Sequence, residues 1–353
     1  MPQYSIAVIA GDGIGPEVIP LGIEVLDCAA RAFGFSCNWT CFPWGSEYYF
    51  QNGRMMPADA LDQLRRFDAI YLGAVGHPRI QDNITLNGLL LPIRRGFDQY
   101  ACVRPAVLYD GIRSPLDGRK AGEIDMVIVR ENTEGEYSQI GGNLYPQTPD
   151  EVAIQSAVFT RKGTERIIRF AFDLARKRNG KGRVTSVTKS NAQGYSMEFW
   201  DRVYRRVADD YPDIETESLL VDAAAMDLIR RPDMFDVIVA SNLFGDILSD
   251  IGAIITGSLG LAPSANLNPQ RTAPSMFEPV HGSAPDIAGQ ERADPLAAIL
   301  AGGMMLEFLG ETQASQKVEE AVRAVLKEGK TLTPDLKGAA KSREVSRAVA
   351  ERL

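Results

Sequence analysis

The sequence predicts an α/β protein with a parallel sheet covered by helices, and three observations carry that expectation. Short apolar runs of strand length alternate with stretches of helical periodicity. Glycine-rich and polar turn residues separate them. With 353 residues, 45% apolar and 24% charged, the chain has an ordinary globular profile and enough length for two sizeable cores.

Residues 5–10 (Ser-Ile-Ala-Val-Ile-Ala) form an apolar run suited to a buried parallel strand. Glycine-rich turn chemistry follows, and then Pro16-Glu17 opens a helix that ends near Gly34. The pattern predicts a second strand over 36–44, a helix over 58–66 and a strand over 68–73. Further strands are predicted over 125–130, 152–160, 183–188, 214–221 and 236–240, and helices over 164–178, 196–210 and 244–255. From 295 onward the chain reads as helical, over 295–309, 313–327 and 341–352. Neither an internal repeat nor a low-complexity linker interrupts it.

The formal net charge of -8 comes without any run of basic residues, which argues against a nucleic-acid surface. No apolar stretch approaches a membrane span, and Met-Pro-Gln-Tyr runs into the first strand without a basic leader, so the expected compartment is the cytoplasm. The cysteines Cys28, Cys37, Cys41 and Cys102 form no CxxC pair and only two histidines are present. A soft zinc site is therefore poorly supported, and carboxylates are the available ligands for any metal, which favours hard ions such as Mg²⁺ or Mn²⁺.

Gly11-Asp-Gly-Ile-Gly-Pro16 invites comparison with a dinucleotide-binding turn, but Pro16 stands where the third glycine belongs and no acid closes the second strand. A tight strand-to-helix turn with proline at the first helical position explains these residues better. A cofactor can still pass close to this backbone.

Arg94 and Arg104 lie within Leu91-Pro-Ile-Arg-Arg-Gly-Phe-Asp-Gln-Tyr-Ala-Cys-Val-Arg-Pro105, and Arg130 ends an apolar strand. Guanidinium groups grip carboxylates through paired hydrogen bonds, although surface ion pairing is an equal claim on arginines alone. Asp246 and Asp250, four apart at the start of a helix that follows a strand, share one helix face, where a divalent ion would separate their charges. Helix-dipole complementarity is the plainer role for such acids, and N-capping is the plainer role for Asp222. Lys189 and Tyr137 each stand just past a strand, suited to act as base and acid. Phe277-Glu-Pro-Val-His-Gly-Ser-Ala-Pro-Asp-Ile-Ala-Gly289 reads as a long loop in which His281 can meet a nucleotide and Asp286 a ribose.

Together these motifs resemble the β-decarboxylating dehydrogenases of isopropylmalate, isocitrate, D-malate and tartrate, from Gly11-Asp-Gly-Ile-Gly-Pro-Glu17 to about Leu309. Asn242-Leu-Phe-Gly-Asp-Ile-Leu-Ser-Asp250 and Glu278-Pro-Val-His-Gly-Ser-Ala-Pro-Asp-Ile287 are the most specific stretches. The resemblance implies an isopropylmalate-dehydrogenase-like fold, distinct from Rossmann, with two α/β domains around a mixed sheet and helices on both faces. Residues 1–103 plus 257–353 would form the larger domain with most cofactor contacts. Residues 104–256 would form the central domain, with the dimer interface and the catalytic and metal residues.

By the same resemblance, Arg94, Arg104, Arg130 and Asn87 would bind substrate, and Asp222, Asp246 and Asp250 would bind Mn²⁺ or Mg²⁺. Tyr137 and Lys189 would be catalytic. Gly73, Ala74, His281, Gly282, Ser283, Ala284, Pro285, Asp286, Ile287 and Asp294 would meet NAD; Asp294 stands where the family commonly has asparagine near the adenine. The family usually brings the lysine and the first aspartate from the neighbouring subunit, which implies a homodimer with shared sites. Gly88 and Leu90 stand where isocitrate enzymes have Ser and Asn, and Asn87 stands where isopropylmalate enzymes have glutamate. Asn87, Lys189-Ser-Asn-Ala-Gln193 and Ala262-Pro-Ser-Ala-Asn-Leu-Asn268 are more similar to the tartrate and D-malate branch, where K⁺ often assists. Isopropylmalate is the second substrate reading, since Leu90 and Leu91 suit an apolar substituent. A non-catalytic relative is disfavoured because Tyr137, Lys189 and all three aspartates occur together.

Overall fold

The computed structural model describes residues 1–353 as twelve strands and twelve α-helices. The strands are β1 (Gln3–Gly11), β2 (Ser36–Cys41), β3 (Ala69–Ala74), β4 (Ala101–Val107), β5 (Asp125–Glu131) and β6 (Gly135–Leu144). They continue with β7 (Val152–Val158), β8 (Arg183–Thr188), β9 (Glu215–Leu220), β10 (Val237–Ala240), β11 (Pro263–Leu267) and β12 (Ser275–Pro279). Ten of them form one sheet in the order β2-β1-β3-β12-β11-β4-β5-β10-β8-β9, and β6 and β7 form a separate hairpin.

The sheet is mixed. Strands β2, β1, β3 and β12 are parallel, as are β5, β10, β8 and β9. Antiparallel pairings of β12 with β11, β11 with β4 and β4 with β5 join the two wings. One wing is thus built from both ends of the chain and the other from its middle.

Alternation along the strands explains why helices cover both faces. Ile6 and Val8 of β1 join the main core, whereas Ala7 and Ile9 join a second apolar cluster with Trp44, Leu64, Ile93 and Phe97. On the first face the helix Gly15–Phe33 packs against Leu296–Leu309, Thr312–Glu328 and Ser342–Ala350. Gly34 closes the first of these in the left-handed region (φ +79°), as its position after the last apolar repeat predicts.

Several elements differ from the expectation. Strands β4, β6, β11 and β12 carry no clear signal in the sequence, since Arg104 and Pro105 interrupt β4, and β11 and β12 each contain a proline. Because β12 includes Phe277, Glu278 and Pro279, the loop read over 277–289 begins only after Pro279. The segment 82–96 is helical, with a π-helical stretch at Leu86–Leu90 between Asp82–Thr85 and Leu91–Gly96. A π-helical turn of this kind is frequent at functional sites.

Candidate active site

Arg104 and Arg130 stand on adjacent antiparallel strands, β4 and β5, and both point to one face of the sheet. Their neighbours Val103 and Val129 turn into the main core instead. The helix Asn242–Ile255 rises from the C-terminal end of β10, next to β5, and lays its first turns across Arg130. Each early position in that helix has a structural reason. Asn242 accepts from Arg130 Nε at 3.0 Å and from Nη2 at 2.7 Å, and donates to the Glu134 carbonyl at 2.9 Å. At Gly245 a Cβ would sit 2.6 Å from Arg130 Cβ, so only glycine admits the arginine. Asp246 then takes the charge: its Oδ1 pairs with Arg130 and accepts from Arg104 Nη1 at 3.0 Å, and its Oδ2 accepts from the Tyr137 hydroxyl at 3.0 Å.

Arg94 reaches the same place from the helix Leu91–Gly96, held by Glu278 of β12 at 2.7 Å with both side chains buried. Glu278 accepts a second bond from Asn266 of β11 at 2.8 Å, and Asn132 donates in turn to Asn266 at 2.9 Å. This chain of buried amides fixes the carboxylate that fixes the arginine. The guanidinium Nε of Arg94 is buried without a partner, a donor left available for a ligand.

Arg94, Arg104, Arg130, Tyr137 and Asp246 line one cavity of about 150 Å³ with Gly73, Ala74, His281 and Gly282. Leu72, Val75, Leu86 and Leu90 supply an apolar wall. Three arginines set against two acids, Asp246 and Glu278, leave a small chamber with a net positive charge and one apolar side, suited to an acid carrying two carboxylates.

The charges shift one another. Burial pushes the Asp246 carboxyl up, but Arg130, Arg104 and the Tyr137 hydroxyl outweigh it and hold it below the ordinary range. Asp250 is pushed up by burial and by the charge of Asp246. Burial first, and then Asp246, raise the Tyr137 phenol, so it keeps its proton. Burial lowers His281 and so disfavours its charged form; its Nε2 is buried and unpartnered.

Lys189 and Asp222 are not in this cavity. They meet each other, Nζ to Oδ1 at 2.7 Å, at the C-terminal ends of β8 and β9, and the lysine lowers the aspartate. No group of three or more such ligands within the chain is arranged to hold a metal ion. Asn87 is also outside the cavity lining, its amide donating to the Asn83 carbonyl at 2.7 Å, while Leu86 and Leu90 face inward. Leu91 is buried in the protein interior.

The glycine-rich turn after β1 braces the loop that follows β12. Asp12 accepts from the Ser46 amide (2.7 Å), the Ser46 hydroxyl (2.6 Å) and the Gly76 amide (2.9 Å). The Ile14 amide donates to the Ser283 carbonyl at 2.9 Å, and a Cβ at Gly13 would strike that carbonyl. Ser283 and Pro285 then face Gly76, His77, Asp82 and Asn83 across an open cavity of about 680 Å³. Asp286 is exposed, Ala284 has φ +40°, and Ile287 packs on the main core. Asp294 is buried at the start of the helix Leu296–Leu309.

Asn242, Gly245, Glu278, Asn266 and Asn132 are site residues that the sequence reading assigned no role. Asn242 and Glu278 stand inside its two most specific motifs, and that was the available signal.

Comparison with known proteins agrees with this geometry. The family model described as isocitrate/isopropylmalate dehydrogenase matches residues 5–350. The chain is 51% identical to the D-malate dehydrogenase [decarboxylating] of Escherichia coli (strain K12), over 99% of this chain and 98% of that one. It is 48% identical to the tartrate dehydrogenase/decarboxylase of Pseudomonas putida, over 100% and 99%. The crystal structure of isocitrate dehydrogenase from Methylococcus capsulatus superposes with TM-score 0.89 at 37% identity, covering 99% of each chain. An arginine-lined chamber on a ten-stranded mixed sheet, and full-length similarity at this level, place the chain in the isocitrate/isopropylmalate dehydrogenase family.

Proposed function

We propose that this protein oxidises a small 2-hydroxy dicarboxylate such as tartrate or D-malate with NAD, releasing CO₂ where a 3-carboxylate is present, as a homodimer with shared sites. The observation that carries this reading is the convergence of Arg94, Arg104, Arg130, Tyr137 and Asp246 on one small cavity beside Gly73 and His281.

The arginines grip the two carboxylates and fix the 2-hydroxyl carbon toward the cofactor. Lys189 of a second copy would take the hydroxyl proton, and NAD⁺, when bound, would supply the acceptor for the hydride on that carbon, leaving a 2-keto acid. When CO₂ then departs, its bonding electrons remain as an enolate, and Tyr137, which keeps its phenolic proton, protonates it. Asp246 and Asp250, with Asp222 of a second copy, would be the donors for Mn²⁺ or Mg²⁺; burial first, and the charge of Asp246 second, raise Asp250, and a bound cation would offset both. Such an ion supplies Lewis acidity to the hydroxyl and to the developing enolate. K⁺ is the monovalent ion expected to assist. Ser283 and Pro285 border the open cavity that would take the rest of NAD, with Ala284, Asp286 and Ile287 beside them in the same loop and Asp286 the acceptor for the ribose hydroxyls.

The homodimer draws support from an apolar face that one copy leaves open. Met226 (62% exposed) and Ile229 on the helix Val221–Arg230, and Ile247 (50%) and Ile254 on Asn242–Ile255, are uncovered. So are Ile140, Leu144, Val152 and Ile154 on the β6–β7 hairpin. Asp222 begins the first of these helices, so the acid lies on the edge of the face. The proposed division into 1–103 plus 257–353 and 104–256 would put β1, β2, β3, β11 and β12 in one part and β5, β8, β9 and β10 in the other, with the boundary inside β4. No helix is long and apolar enough to cross a membrane, and a cytoplasmic setting suits four free cysteines.

The apolar wall of Leu86 and Leu90 favours a second reading, 3-isopropylmalate, on a specific observation. NADH formation with D-malate, L-tartrate and 3-isopropylmalate side by side, each with Mn²⁺ and K⁺ and a chelator control, decides between them. Preference for D-malate or tartrate is the expected result, and preference for 3-isopropylmalate transfers specificity to the leucine wall.

A further inference from the structure

The helical segment 82–96 supplies the apolar side of the chamber, and its residues divide between two faces. Leu86, Leu90 and Arg94, spaced four apart, line the cavity. Leu89 and Ile93 turn instead into the second apolar cluster, where they meet Met55, Trp44 and Leu64. Gly88 and Gly96 also lie against that side. A Cβ at Gly88 would sit 2.6 Å from Met55 Cγ and 3.0 Å from Met55 Cβ, and a Cβ at Gly96 would sit 2.5 Å from Leu61 Cδ1.

Neither glycine is in the left-handed region, so backbone conformation does not call for it, and glycine weakens a helix relative to alanine. Close approach accounts for both. At Gly96 the obstacle is the tip of a half-buried leucine, which can turn aside. At Gly88 it is the root of a side chain that is 1% exposed.

Met55 has nowhere to retreat. It is packed into the second cluster, and its carbonyl accepts the Gly45 amide at 3.0 Å. Next to Gly45, Ser46 is bound through its amide and its hydroxyl to Asp12, at the end of β1. Beyond the opposite face of the helix lies the chamber of about 150 Å³. Atoms added between Met55 and residue 88 therefore push the helix toward the chamber, and atoms removed from Met55 let it withdraw.

The three arginines of the chamber take carboxylates, which leaves the substituent at C3 for Leu86 and Leu90. A chamber this small, against about 300–1,000 Å³ for the pockets of drug-sized ligands, responds to single carbon atoms.

We propose that the contact between Met55 and Gly88 determines specificity from behind the wall: it sets how far Leu86 and Leu90 stand into the chamber, and hence the size of C3 substituent that is admitted. Met55 touches no reacting group and is a positioning residue that acts through the helix. This inference rests on the reading of the chamber as a site for 2-hydroxy dicarboxylates.

The test is the ratio of kcat/KM for 3-methylmalate to that for D-malate, read by NADH formation in the parent, Gly88→Ala, Met55→Ala and the double variant. Gly88→Ala should lower the ratio by about tenfold or more, the range in which one carbon atom is discriminated in an apolar pocket. Met55→Ala should raise it by about threefold or more, and the double variant should return to within about threefold of the parent. A merely structural contact would lower both kcat/KM values together and leave the ratio where it was. A ratio within about twofold of the parent in the single variants would overturn the proposal, as would a double variant that keeps the whole effect of Gly88→Ala. If Gly88→Ala does not fold, Met55→Ala decides alone: a raised ratio supports the contact, and an unchanged one overturns it. A parent that turns over neither acid overturns the substrate reading, and this inference with it.

Discussion

The cluster around Asp246 and the pair Lys189–Asp222 are built in opposite ways. Arg130 is 1% exposed, held by Asn242, fitted against Gly245 and paired with Asp246, so its position is over-determined within one chain. Lys189 and Asp222 hold only each other, with side chains 28% and 60% exposed, at the edge of an uncovered apolar face. Preorganised charge belongs where substrate must be gripped, and pairs that can open belong where another surface must arrive. The difference teaches that one chain pre-organises its arginine chamber by itself, while the Lys189–Asp222 pair stands apart from it, where the proposed function assigns it to the site of a second copy.

Substitutions can break that contrast. The largest effect is expected for Asp246→Asn: turnover should fall by about 10³-fold or more, and Mn²⁺ dependence should be lost, while substrate still binds the arginines. Turnover within tenfold of the parent at low metal would remove Asp246 from the ligand set. Lys189→Gln should lower turnover by about 10²- to 10⁴-fold with the melting temperature almost unchanged, since an exposed ion pair contributes about 0–1 kcal/mol. A large stability loss would mean that the pair is a structural clamp. Glu278→Gln removes the buried partner of Arg94 and should cost about 3–5 kcal/mol in unfolding free energy, read by denaturant titration. A cost near zero would show Arg94 to be held by other means. Smallest in stability, Ile247→Glu should leave the single-chain fold intact and make activity depend on protein concentration, checked by sedimentation.

The same contrast governs what the sequence discloses. Apolar parallel strands such as β5 and β10 are legible because burial on both faces demands continuous Val and Ile. Strand β4 is not, because its alternation places Arg104 toward the site and Val103 toward the core, and Pro105 interrupts the pattern. Strands β11 and β12 carry Asn266 and Glu278 for the same reason. Strands β4, β11 and β12 look least like strands, since polar site residues have replaced the apolar ones that announce a strand, whereas β5 keeps its apolar run and carries Arg130 only near its end. Asp246 and the arginines were legible through motif spacing, but the supporting Asn132–Asn266–Glu278 chain spans 146 residues and depends on the pairing of β4 with β11, which no local pattern reports.

The central claim, that each site takes Lys189 and Asp222 from one copy and Asp246 from the other, is tested most directly by subunit mixing. Lys189→Gln and Asp246→Asn chains, each inactive alone, are unfolded together, refolded and assayed for NADH formation. In a hybrid dimer one site then receives both mutations and the other receives neither. With random pairing, about one quarter of the parent activity should return. If the mixture stays as inactive as its components, each chain carries its own complete site and the shared-site account is wrong.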